Sequence, residues 1–186
     1  MRKIQTVEIR ARKAQKKKII VGVALIFLMV VSTVGYSLMQ GDSEKNDSKV
    51  EENGLTFYRQ NGIWATSIEG KTFGFQYLPS EIANISVEGD YDLDMYTDQL
   101  LYYTSPNEGV IEILNNVGSY VLRYQGACLN ETYCEDDLPM KDCWSNIIVI
   151  EEGNETKVYN NESCVYLVGD SVKAADAFLY KLLKVN

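Results

Sequence analysis

The sequence predicts an α+β fold carried outside a membrane by a single anchor. Three observations predict it: an apolar run free of acidic and basic side chains near the N-terminus, short alternating segments divided by turn dipeptides, and two stretches with helical apolar spacing. The expected order is an N-terminal transmembrane helix, then one extracellular domain with a mixed β-sheet and a packed C-terminal helix. An N-terminal β-meander, one strand-helix-strand unit and β-hairpins make up that sheet. The expected boundaries are a cytoplasmic basic tail over residues 1–18, a signal anchor over 19–39, a flexible stalk over 40–53 and the exterior domain over 54–186.

The anchor rests on charge and length. Residues 1–18 hold eight Lys or Arg against the single Glu8. The run IIVGVALIFLMVVSTVGYSLM follows as residues 19–39, in which the Tyr36 phenol is the one ionisable side chain. At about 1.5 Å per helical residue it spans a hydrocarbon core of roughly 30 Å. A cleaved signal peptide has a shorter apolar region and ends in a small-x-small site, to which Gly35, Tyr36 and Ser37 are a poor match. The basic tail stays cytoplasmic by the positive-inside rule, so the segment meets the lipid bilayer and residues 40–186 face outward.

Past the anchor the balance reverses. From residue 40 onward ten Lys or Arg face 25 Asp or Glu, a net of −15 inside a chain total of −8. With no basic cluster in that part, nucleic acid is not an expected partner. The chain has no histidine, which excludes Ser-His-Asp and Cys-His nucleophiles, His-ligated zinc and HExxH chemistry.

Residues 40–53, QGDSEKNDSKVEEN, are polar and without apolar periodicity, and read as a stalk. From Gly54, LTFYRQ, the turn Asn61-Gly62, IWATSI, the turn Glu69-Gly70 and KTFGFQYLP predict a three-stranded meander. Phe73, Phe75 and Tyr77 alternate onto one face, a core pattern. Pro79 ends the strand, and SEIANI predicts a helical turn before a strand through Val87. In LLYYTSPNE, Ser105 and Glu108 form a capping-box pattern with Pro106 at the first helical position. Val110, Ile111, Ile113, Leu114 and Val117 give the helical stripe, Gly118 the left-handed stop, and SYVLRYQG the next strand. NIIVIEE, the turn Gly153-Asn154, TKVYN and CVYLVG predict three more strands. Asp170 or Ser171 then caps a helix whose stripe is Val172, Ala175, Leu179 and Leu182, with Phe178 beside it.

Four features bear on chemistry. Asp90, Asp92, Asp94 and Asp98 fit positions 1, 3, 5 and 9 of a calcium loop, but Met95 and Leu101 stand where the loop needs Gly and a bidentate Glu. Alternation gives a simpler account, with the Asp residues solvated and Tyr91, Leu93 and Met95 inward. Two carboxyls with pKa values pushed apart could also serve a glycosidase, for which Asp92 and Asp94 are the candidates. Cys128, Cys134, Cys143 and Cys164 form an even set in an exported domain and read as disulfides. Three pairings are allowed, the favoured one joining Cys143 to Cys164 across a strand hairpin and Cys128 to Cys134 around a short loop. Sequons at Asn46, Asn84, Asn130, Asn154 and Asn161 point to N-glycosylation.

The stretches FQYLPSEIANISV and GNETKVYNNESCVYLVGDSVKAADAFLYKLL resemble segments of single-pass, cysteine-containing surface proteins of small-genome archaea. Those proteins share a basic tail, one anchor, an aromatic strand region and a cysteine on each side of a GNET-like hairpin before a closing helix. Cys143 and Cys164 match that flanking pair, whereas Cys128 and Cys134 fall outside it. The resemblance implies an archaeal envelope setting and a shared fold, with no activity, cofactor or catalytic residue attached.

The leading expectation is therefore a non-enzymatic, membrane-anchored exterior domain that binds another envelope or membrane protein, with no cofactor, metal or catalytic residue. One alternative is a carbohydrate- or calcium-binding module working through Asp90, Asp92, Asp94 and exposed Tyr or Trp rings. The other is a carboxylate-dependent hydrolase.

Overall fold

Three turns with paired positive φ angles build the first sheet: Asn53-Gly54 (49° and 76°), Asn61-Gly62 (50° and 89°) and Glu69-Gly70 (52° and 80°). Such turns match the twist of the strands they join. They connect β1 (Lys49–Glu52), β2 (Leu55–Gln60), β3 (Ile63–Ile68) and β4 (Lys71–Phe75) into an antiparallel sheet in chain order. The computed structural model describes residues 48–129, 134 and 137–185. The tail 1–18, the anchor 19–39, most of the stalk and the sequons Asn46 and Asn130 lie outside the described residues. Among the described residues no helix is long and apolar enough to cross a membrane.

Two expectations change here. The meander has four strands, because Lys49–Glu52, assigned to the flexible stalk, pairs with β2 from Lys49↔Tyr58 to Glu52↔Leu55. Its residues are too charged to show periodicity, and the backbone ladder with β2 holds them. The meander is also a sheet of its own and not part of the mixed sheet.

The second sheet has six strands in the order β5-β11-β12-β10-β6-β7. They are β5 (Ser86–Val87), β6 (Leu100–Tyr103), β7 (Arg123–Gly126), β10 (Asn146–Glu151), β11 (Lys157–Asn161) and β12 (Cys164–Val168). A small parallel pair, β8 (Cys128–Leu129) and β9 (Met140–Lys141), stands apart. Helix α1 (Glu108–Val117) joins β6 to β7, which pair in parallel, so the strand-helix-strand unit forms as expected. Asn107, not Ser105, caps that helix, its Oδ1 accepting from the Val110 N–H at 2.9 Å. Pro106 biases Ser105 toward extended backbone, which moves the helix start past the proline. Gly118 is right-handed (φ −59°). A Cβ there would press on the Leu114 carbonyl, so closeness and not φ requires glycine.

The expected hairpin of β10 with β11 does not form. β12 lies between them, antiparallel to β11 and parallel to β10. The apolar run CVYLV is buried on both faces and takes the central place, leaving the more polar KVYNN toward the edge.

Helix α2 (Ser171–Leu182) begins at Asp170, whose carboxylate accepts from the Lys173 N–H at 3.2 Å. Seven consecutive residues of it, Ala174–Tyr180, are buried. A helix buried on more than one stripe needs cover on two sides. The mixed sheet covers one side through Leu101, Ile148, Val165 and Leu167, and the meander covers the other through Phe57 and Phe75. The Phe75 and Tyr180 rings stack with centroids 4.2 Å apart. α1 runs beside α2 so closely that a Cβ at Gly109 would meet the Ser171 backbone. The order meander, helices, mixed sheet is thus a three-layer packing around one core.

Candidate functional site

The outward face of the mixed sheet carries a second cluster, Tyr102, Ile147, Val149 and Cys164, with Tyr166 and Cys143 against it. Strand alternation explains the division. On β10, Ile148 faces the helices while Ile147 and Val149 face away.

At one end of this face the chain makes a turn over residues 142–145. The Ser145 N–H donates to the Asp142 carbonyl at 3.0 Å, and the Trp144 N–H to Asp142 Oδ1 at 3.3 Å. Cys143 within the turn is disulfide-bonded to Cys164 on β12, with Cα atoms 4.9 Å apart. The Ser163 N–H donates to the Cys143 carbonyl at 2.9 Å. This bridge ties two neighbouring parallel strands, β10 and β12, at their N-terminal ends, and does not cross a hairpin. The second bridge is Cys128–Cys134, so both disulfides follow the favoured pairing.

The locked turn holds Trp144 with 81% of its surface exposed. An indole buries about 200 Å² when covered, so at ~25 cal/mol per Å² this ring forgoes about 4 kcal/mol of burial. Beside it runs a groove of about 540 Å³. Leu100 and Tyr102 line it from β6, Lys141 from β9 and Asp94 from the loop before β6. Asn146 also lines it and donates from Nδ2 to the Met95 carbonyl at 3.1 Å, fastening the loop wall to β10. The Lys141 ammonium sits 4.7 Å over the Tyr102 ring.

Of the carboxylates read from sequence, Asp92, Asp94 and Asp90 act together on the Lys184 ammonium and raise its pKa, Asp92 most strongly. Leu93–Met95 is a single 3-10 turn capped by Asp92, whose Oδ1 accepts from the Asp94 N–H at 3.0 Å. Its Oδ2 pairs with Lys184 at 2.6 Å. The Lys184 hydrogen bond, then the Asp94 N–H, hold the Asp92 carboxyl below its usual range, opposite to what a general acid needs. The tight turn also breaks the expected alternation: Met95 is exposed and Tyr96 is buried in its place. Asp98 takes a left-handed φ of 57° in the following turn, and Asp90 is exposed. Among the described residues no group of three or more His, Cys, Asp or Glu could hold a metal ion.

A polar node missed from sequence lies between the helices and the edge of the meander. Asp176 is fully buried, and its Oδ2 accepts from the N–H groups of Gln76 (2.9 Å) and Tyr77 (2.8 Å). Asn116 accepts from the Gly74 N–H at 2.9 Å and donates to its carbonyl at 2.8 Å. Side chains of the helices thereby satisfy the open edge of β4. Burial pushes the Asp176 carboxyl up to about 8, with the neighbouring Glu112 adding to it while the Tyr77 and Gln76 N–H groups oppose it. Burial also raises the Glu112 carboxyl. The signal was present in register: Glu112 and Asn116 fall on the same helical face as Gly109 and Ile113.

Of the sequons among the described residues, Asn84 precedes β5, Asn154 lies between β10 and β11, and Asn161 ends β11; all three are exposed. Asn84 and Asn161 stand on the β5–β11 side of the mixed sheet, and Asn154 on the loop that passes the end of β12 to reach it. At the opposite margin β7 has no strand beyond it among the described residues, with Leu122 and Tyr124 exposed by 69% and 50%. No protein-family model, curated protein or solved structure matches the chain.

Proposed function

We propose that this chain is a single-pass membrane protein whose disulfide-bonded, glycosylated exterior domain works by binding, without catalysis, as an interaction or scaffold subunit of the cell envelope. The observation that carries the reading is the asymmetry of the mixed sheet. Two of the three described sequons, Asn84 and Asn161, stand at one margin, while the other ends in an edge strand flanked by an exposed apolar chain and ring. A sheet edge of that kind accepts a partner's strand through main-chain hydrogen bonds, with Leu122 and Tyr124 giving apolar contact. The apolar run 19–39 behind a basic tail supports the anchoring, and two disulfides support an oxidising exterior.

The test is crosslinking on living cells, capture of the full-length chain in mild detergent, and mass spectrometry of what accompanies it. A stoichiometric envelope protein is expected with the wild-type chain and lost with Leu122→Asp plus Tyr124→Asp. Recovery of the chain alone under both conditions refutes the reading. A second reading, a carbohydrate-binding module, is favoured by the Trp144 ring beside a groove with amide, ammonium and carboxylate groups. Its test is titration of the same chain with soluble oligosaccharides; absence of any response removes it.

A further inference from the structure

The exposed Trp144 and the sequon Asn161-Glu162-Ser163 are neighbours across the Cys143–Cys164 bridge. Asn161 stands directly opposite Cys164 in the β11–β12 ladder, and opposed residues of an antiparallel pair share a face with Cβ atoms about 5 Å apart. Alternation agrees: Val158 enters the core, while Tyr159, two residues before Asn161, stacks on Tyr166 of the outer face with centroids 4.7 Å apart. Cys164 is bonded to Cys143, and Trp144 is the next residue. Adding the opposed pair (about 5 Å), the bridge and one residue step of about 3.8 Å places Trp144 within about 14 Å of Asn161. Ser163, the third residue of the sequon, itself lines the groove beside Trp144.

From this juxtaposition we infer that Asn161 carries an N-linked glycan whose innermost sugar rings lie across the disulfide on the face of Trp144. The inference rests on the exterior placement proposed above. The Asn161 Nδ2 forms a bond to C1 of the first sugar of a lipid-linked oligosaccharide. The C1–O bond to the donor's lipid phosphate breaks, the phosphate leaves with the bonding pair, and Nδ2 gives up one proton. The attached pyranose has one face of C–H groups, which suits the indole, and an edge of hydroxyls, which meets the Asn146 amide and the Lys141 ammonium in the groove. The net of −15 over residues 40–186 favours neutral sugars over uronic or phosphorylated ones. The glycan supplies the cover that the folded chain leaves off Trp144, and the locked turn presents the ring without further ordering cost.

The experiment uses the full-length chain purified from its native membranes in a detergent with a polyoxyethylene headgroup, since a sugar headgroup would compete for the ring. Glycopeptide mass spectrometry is combined with acrylamide quenching of tryptophan fluorescence in the wild type, Asn161→Gln and Ser163→Ala. A Trp144→Phe version of each isolates the Trp144 signal from that of buried Trp64. The expected result is a glycan on Asn161, with Trp144 quenching rising about twofold in both sequon variants, since stacking covers one of the two ring faces. Emission of Trp64 stays unchanged in both, which separates loss of the glycan from loss of the fold. A modified Asn161 with unchanged Trp144 quenching overturns the inference. So does a bare Asn161 with glycans on Asn84 or Asn154, an outcome that leaves the exterior reading standing. Bare asparagines at all three overturn the inference and count against the exterior reading together.

Discussion

Replacing Asp176 by Asn tests whether a buried acid, held protonated, fastens the meander to the helices. The Asp176 carboxyl is raised by burial from 3.8 to about 8 in the folded chain, whereas the unfolded chain restores the ordinary value. Between those two values the folded state holds a proton that the unfolded state has released, so stability falls as pH rises through the window. At about 1.36 kcal/mol per unit, the loss from pH 5 to pH 8 is about 3 to 4 kcal/mol. Asn keeps an oxygen for the Gln76 and Tyr77 N–H groups and cannot ionise. Its Nδ2 takes the place of Oδ1, which is buried without a partner, so at pH 5 the variant should lie about 1 to 2 kcal/mol below the wild-type chain. Between pH 5 and pH 8 the variant should gain most of that roughly 3 to 4 kcal/mol on the wild-type chain, because the wild-type chain alone declines. Urea unfolding of the full-length chain in mild detergent, followed through the fluorescence of buried Trp64 on β3, reads this directly. Parallel stability curves for the two chains from pH 5 to pH 8 would refute a neutral Asp176 and the reasoning behind it.

Other outcomes follow from the same packing. Asn116→Ala removes both bonds to Gly74 and leaves the β4 edge unsatisfied, at a cost of about 2 to 3 kcal/mol in urea unfolding. Cys143→Ser with Cys164→Ser opens a bridge of sequence separation 21; chain entropy puts the loss at about 3 kcal/mol. In that variant the Trp144 turn should also loosen, seen as faster amide exchange over residues 142–145 with Asp142 still present. Leu122→Asp with Tyr124→Asp should change unfolding by no more than about 0.5 kcal/mol, while abolishing partner capture. Gly109→Ala drives a Cβ into the Ser171 backbone and should separate the two helix N-termini, lowering the melting temperature by several degrees.

Much of the fold was legible because local chemistry spoke for it. Turn dipeptides placed the hairpins of the meander, apolar spacing placed both helices, and an even cysteine set in the acidic part of the chain gave the two bridges. The same rule, applied to Asn53-Gly54, marks the hairpin that β1 completes; the charge of KVEE masked it. Periodicity failed over Asp90–Asp98, where a 3-10 turn replaced the extended chain and exchanged Met95 for Tyr96 in the core. It also suggested the wrong neighbour for β10, since hydrophobicity within a strand tells how buried it is and not which strand lies beside it.

The sequence by itself determined the charge division, the apolar run, the sequons, the exclusion of imidazole chemistry and most element positions. Each of these depends on residue identity or on neighbours a few places apart. Only the tertiary structure decided that the sheet is two sheets with helices between them, that Asp176 and Asn116 close the edge of β4, and that the Cys143–Cys164 bridge sets the Trp144 turn beside Ser163. Those are contacts between residues far apart in the chain. They are fixed by which layers can cover a helix buried on two sides, and no local pattern contains that information.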